Sequence, residues 1–263
     1  MDGQARRGPM TPFAAFCGKE LMEVRRTYRL YILMAVFALL GLMSPIVAKV
    51  IPDLIGGMGI EGVVITFPES TAMDSWTQFF GNVSQIGILA LVIVYGGIMS
   101  GELSKGTLVN VLSKGIGRGE VVMSKFAVAS AVWTACYLLS FAAAYAYTEF
   151  LWDSNETADA ALAFACPWAY GLFMLSILIL GGIAFKTTYG SLLTVLGATV
   201  LMGLASLIPG SKWVNPLTVS GESYALLNGA RPPMEFALPL AVCVSLTAAC
   251  LAASVLAFRR KGA

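Results

Sequence analysis

Stretches free of Asp, Glu, Lys and Arg alternate along this chain with short clusters of charge, and six of the stretches are of similar length. They are Leu30–Ala48, Ser75–Gly101, Phe126–Thr148, Ala160–Phe185, Thr187–Ser211 and Phe236–Phe258. Each reaches the roughly 17 to 25 apolar residues that a helix needs to cross about 30 Å of hydrocarbon. Trimmed at their polar ends they predict spans at 30–48, 77–100, 126–148, 162–185, 188–209 and 236–258. Ser75–Gly101 and Ala160–Phe185 run slightly long, which predicts tilt or interfacial ends. Lipid cannot hydrogen-bond a bare backbone, so the spans must be helical. A barrel would alternate with a period of two, and these runs are continuously apolar. The expected fold is an all-α membrane protein with a six-helix domain over residues 30–258. It is preceded by a segment 1–29, interrupted by a polar loop 101–125 and followed by a tail 259–263.

Composition supports the bilayer: 57% of the 263 residues are apolar and 12% are charged, against about 25% charged in a soluble domain. The charges also sort by side. Arg6, Arg7, Lys19, Arg25, Arg26, Arg29, Lys105, Lys114, Arg118, Lys125, Lys186, Arg259, Arg260 and Lys261 fall on one side, which is 14 of the 17 basic residues. The other side has Lys49, Lys212 and Arg231 beside ten acidic residues, among them Asp53, Glu61, Glu69, Asp74 and Asp153. The positive-inside rule then predicts a multi-pass protein of the plasma or inner membrane with both termini in the cytoplasm. The first apolar run is too long for the core of a cleavable signal, so it is expected to stay as a helix of the protein. Cys17, Cys136, Cys166, Cys243 and Cys250 have no metal-type spacing and are expected to pack as small apolar residues.

Two polar segments carry helical patterns of their own. From Pro12 to Leu30, Phe13, Phe16, Leu21, Val24 and Tyr28 approximate one stripe among Lys19, Glu20, Glu23, Arg25 and Arg26. With Thr11 and Pro12 as a start signal, this predicts an amphipathic helix lying in the membrane surface. In the loop GELSKGTLVNVLSKGIGRGEVVMSK, Thr107 can cap a short helix, Leu108–Lys114, that Gly115 would end. Leu108, Val111 and Leu112 share a face, while Lys105, Asn110, Lys114 and Arg118 supply a cationic remainder. So short a helix is marginal alone and must dock on this chain or on a partner.

The order Glu102, Gly106-Thr107, Val111-Leu112, Ser113, Arg118 and Lys125 resembles the first cytoplasmic loop of ABC-2 type transporter permeases. Asp74-Ser-Trp-Thr-Gln-Phe-Phe-Gly-Asn also resembles the run into the second helix of that family. Gly115 and Gly117 depart from its pattern, since members often have proline and a serine or threonine there. The resemblance implies a coupling helix between the second and third spans, formed around Glu102, Gly106, Thr107, Leu108, Val111, Leu112, Lys114 and Arg118. It implies a separate cytoplasmic ATPase that holds the ATP and magnesium, a second permease subunit (the same chain or a related one), and export as the direction. It also suggests an extracellular gate around Ser211–Glu235, with a short external helix near Tyr224–Leu227.

Other chemistries fit poorly. The Gly101–Gly106 spacing is that of a phosphate-binding loop, but Thr107 stands where the lysine is needed and no strand precedes it. The chain has no histidine, and no span carries a central carboxylate for proteolysis or for ion-driven transport. No catalytic residue, metal, bound cofactor or nucleic-acid partner is expected. Asn82 and Gln85 are candidates for a transport path, against the blander reading that polar residues in spans bond neighbouring helices. The alternative to a permease is a membrane-embedded assembly subunit that recruits a cytoplasmic partner and transports nothing.

Overall fold

The computed structural model describes residues 12–57, 69–108, 113, 115–152 and 159–260, with backbone only for Pro12 and for residues 53–57. The described residues are mostly helical, without strands, and six helices are long and apolar enough to span a bilayer. Helix α1 covers Pro12–Arg26 and α2 covers Arg29–Gly57. The second span is assembled from α3 (Ala72–Asn82), a π-helical turn (Val83–Gly87), α4 (Ile88–Tyr95) and α5 (Ser100–Ser104). The long α6 (Arg118–Leu151), α7 (Ala160–Phe185) and α8 (Thr188–Ala205) follow. Two short helices, α9 (Pro216–Gly221) and α10 (Tyr224–Leu227), precede α11 (Met234–Arg260). The short helix expected near Tyr224–Leu227 is therefore present.

Local chemistry sets the boundaries. Asp74 accepts hydrogen bonds from the Thr71 amide at 2.8 Å and the Thr71 hydroxyl at 2.9 Å, fixing the start of α3. Glu120 closes the start of α6 by accepting from the Gly117 amide at 2.9 Å. Thr187 caps α8 through the Gly190 amide, and Asn215 caps α9 through the Leu217 amide ahead of Pro216. Helices α2 and α6 run past the charge-free stretches.

The most buried span is α7, while α8 and α11 are the least buried. Helix α2 packs along α6, and α8 and α11 pack along α7. Glycine makes the closest approaches possible: a Cβ on Gly41 would strike the Ser140 carbonyl of α6, and one on Gly171 would strike the Trp133 indole. Gly181 and Gly182 admit Thr194 and Ser191 of α8 in the way expected of small residues, whereas Gly101 has open space around it. Trp76, Phe79 and Phe80 of α3 interlock with Phe141 and Phe164, the last two with ring centroids 4.0 Å apart. Cys136, Cys166 and Cys243 are buried thiols in this packing, and Cys17 and Cys250 are half-buried.

The stripe expected on α1 is only partly the one observed. Phe16 and Val24 are buried, but Phe13, Leu21 and Tyr28 are exposed, and the third buried member of the face is Glu20. The helix packs against α6 and α2 as well as presenting an outer apolar edge. A carboxylate can occupy that inward face because a lysine of α6 meets it there.

Candidate functional site

At the end of the bundle that carries α1, Lys125 of α6 is enclosed, its side chain 1% exposed. Its ammonium lies 2.9 Å from both carboxylate oxygens of Glu20 and 2.9 Å from Glu102. Lys19 pairs with Glu102 from the other side and lies 3.0 Å from both Glu20 and Glu23. The Phe16 ring sits within 6 Å of both ammonium groups, at 5.1 and 5.9 Å. Glu20, Glu23 and Glu102 converge closely enough to suggest a metal centre, but the Lys19 and Lys125 ammonium groups already occupy the space between them. Burial works against the charge on Lys19, yet its hydrogen bonds to Glu102 and Glu20 prevail and raise its pKa. The cluster ties α1, α5 and α6 into one unit. Breaking a buried pair by removing one partner typically costs about 3–5 kcal/mol, because the other charge is stranded.

The residues predicted to couple to an ATPase divide between this unit and the surface. Glu102 points inward into the cluster. Gly106 adopts a positive φ of 65°, and Thr107 is itself helical rather than a cap outside the helix, its hydroxyl reaching back to the Glu102 carbonyl at 3.4 Å. Leu108 is buried against this chain's own core. Val111, Leu112 and Lys114 lie outside the described residues, as does most of the expected helix Leu108–Lys114. Gly115, with φ of 84°, has the left-handed backbone expected of a helix terminator. Arg118 donates to the carbonyls of Arg259 at 2.8 Å and Phe258 at 3.4 Å, so it caps the last turn of α11. Lys105, Thr107 and Ser113 are exposed, and Lys105 and Thr107 help line a polar cleft of about 320 Å³ beside α1.

A second feature lies within the span region. A groove of about 690 Å³ runs between the π-containing span and α8, with Tyr170 and Met174 of α7 as its floor and Leu217 and Ser220 of α9 over one end. Gln85 is an exposed part of its wall, while Asn82 turns away and donates to Ser44 of α2 at 3.1 Å. The two residues nominated together for a path thus part: one faces the groove and the other bonds a neighbouring helix. Ser84 donates to the Ser220 carbonyl at 2.6 Å and joins the π turn to α9. Such π turns recur at functional sites.

Sequence reasoning missed Lys19, Glu20 and Lys125 as a site, and it missed Ser220. The spacing Phe16, Glu20, Val24 was a usable signal, because an acid on an apolar helical face requires a partner. Nothing in the residue order marked Ser220, which joins the groove only through the fold.

The family model described as ABC-2 family transporter protein matches residues 14–262. The chain is also similar to an uncharacterized transmembrane protein, YxlG, of Bacillus subtilis (strain 168). The two are 21% identical over 226 residues, which is 84% of this chain and 88% of that one.

Proposed function

Because the chain belongs to the ABC-2 transporter family, and is therefore a membrane transport component rather than the ATPase itself, we propose that it is the permease subunit of an exporter powered by a separate ATPase. The observation that carries this reading is the ion-paired unit at the basic end. Lys125 and Lys19 bind the end of the second span, the start of the third and α1 together, next to the exposed Lys105 and Thr107. A partner that pushes on this corner moves two spans at once. Charge sorting supports a cytoplasmic position for the corner, the side on which an ATPase would find ATP. ATP-driven closure would then bias a two-state arrangement of the spans.

The transport path in this reading forms between two copies, or between this chain and a related one. Gln85 lies about 20 Å along the span that begins at Ala72, at about 1.5 Å per residue, and it is exposed on the protomer. An amide at that depth is costly against hydrocarbon, so its face belongs on a shared chamber. An assembly subunit that carries nothing has no use for such a groove.

The test is ATP hydrolysis by the complex purified in lipid, with Lys105→Glu beside the parent. Co-purifying ATPase activity that Lys105→Glu uncouples or detaches, with thermal stability unchanged, is the expected result. Absence of ATPase activity from the complex would sink the proposal.

A further inference from the structure

We propose that the groove binds uncharged amphiphiles drawn from the bilayer: a hydrocarbon body ending in one neutral hydrogen-bonding group, such as a hydroxyl or an amide. This names a substrate class for the site described above, and it rests on the exporter reading only for the direction of movement.

None of the residues lining the groove is charged. Its volume, about 690 Å³, is that of a small-molecule pocket. It opens sideways past Leu89, Ile93, Leu193 and Leu196, all exposed on spans, so its mouth faces the bilayer or a chamber within it. An ion or a charged peptide would have to shed water against walls that return no counter-charge, a penalty far larger than apolar contact can offset.

The polar end is specific. The Ser220 hydroxyl has no hydrogen-bond partner among the described residues, although Ser220 is only 3% exposed. The carbonyl of the same residue accepts from Ser84 at 2.6 Å and from Ser223 at 3.4 Å, so the hydroxyl is the group left over. Gln85 stands exposed on the same groove wall, and its side chain has no partner among the described residues. An unsatisfied buried hydroxyl is an expensive feature unless a ligand completes it. A purely apolar occupant, such as a leucine-rich helix of a second copy, leaves both groups unmatched. A single neutral donor-acceptor group at this end, with hydrocarbon running along Val92, Met174 and Val195, pairs with the exposed Gln85 amide and lies beside Ser220.

The experiment uses the full chain alone in phosphatidylcholine nanodiscs, with no ATPase present. Two photoreactive diazirine probes of equal chain length are compared, a long-chain alcohol and its quaternary ammonium counterpart, and labelled peptides are mapped by mass spectrometry. The alcohol is expected to label the α4 and α8 segments beside the groove, and the ammonium probe is not. Leu196→Trp, which blocks the mouth, lowers the alcohol's labelling about tenfold, equivalent to about 1.4 kcal/mol. Leu201→Trp, exposed on the same helix but outside the groove, leaves it unchanged. Gln85→Leu lowers labelling by the alcohol but not by a matching diazirine alkane. Labelling spread evenly over α11 and indifferent to Leu196→Trp would mean bulk lipid contact and would overturn the proposal. So would equal labelling by the ammonium probe, or protection of the groove in samples whose Leu196→Cys copies cross-link. Because no ATP enters the assay, a failure here leaves the exporter reading standing. A chain that labels as expected but recruits no ATPase loses only that reading.

Discussion

Lys125 is the residue on which the basic end turns. In the sequence it is one more cation at the edge of an apolar run, consistent with a topology signal. In the fold it is an enclosed ammonium held by Glu20 and Glu102. Lys125→Met is expected to destabilise the protein by about 3–5 kcal/mol, because Glu20 and Glu102 lose their enclosed cation and keep only the partly exposed Lys19 between them. Thermal unfolding in lipid measures this, and the double variant Lys125→Met with Glu20→Met should recover a large part of the loss. A single variant within about 0.5 kcal/mol of the parent would show that water reaches the cluster freely. Glu102→Gln separates two roles for an acid that the loop pattern assigned to a partner. If Glu102 serves the cluster, stability falls even without an ATPase. Lys19 adds a pH prediction with a definite sign. Its folded pKa is raised, so its stabilisation is fully present below its unfolded pKa and is lost only as pH rises through the folded value. The unfolded value is about 10.4, so its pairing in the α1–α6 contact is expected to be insensitive to pH between about 6 and 9. Hydrogen exchange of α1 across that range checks it.

Elements behave less independently than their sequences suggest. Arg118 lies in the loop pattern of a coupling segment, yet its guanidinium caps α11, more than a hundred residues away. Arg118→Glu should therefore speed hydrogen exchange in the last turn of α11, whether or not an ATPase is bound. A change confined to ATPase coupling, with that turn still protected, would contradict the cap. The pairing of α2 with α6 depends on Gly41 in the same way. Gly41→Leu places side-chain atoms where the Ser140 carbonyl now lies, so the helices must separate. The expected loss exceeds the roughly 1–3 kcal/mol of ordinary overpacking, because backbone rather than a flexible side chain must yield. Unfolding midpoints beside Gly197→Leu, a glycine of α8 with open space around it, provide the comparison.

At the scale of the molecule, the bundle is lopsided. Its centre is α7, and its least covered spans are α8 and α11. Such an arrangement suits a half-transporter that meets a second half across α4 and α8, where Gln85 and the groove lie. Cysteine placed at Leu196 is expected to cross-link between copies in membranes, or to a related subunit co-expressed with it. Cysteine at Leu256 of α11 should not, although it too is exposed. Cross-linking at Leu256 alone would move the shared face to the other side of the bundle and remove the groove from the path.

By itself the sequence determined the number of spans, the sidedness of the charge, the helical class and the family, because burial in lipid acts on runs of residues and needs no knowledge of which helices touch. It also marked Tyr224–Leu227 as a helix, which depends on local backbone chemistry. Only tertiary structure decided that Asn82 serves a helix contact while Gln85 faces a groove, for a π turn shifts which side of the span each residue presents. Only tertiary structure joined Glu20 to Lys125 across 105 positions and left the Ser220 hydroxyl without a partner among the described residues. The physical reason is the same in each case. Apolar burial is a sum over segments and is legible locally, whereas the pairing of a charge or a hydroxyl is a property of the few atoms that packing brings within about 3 Å of it.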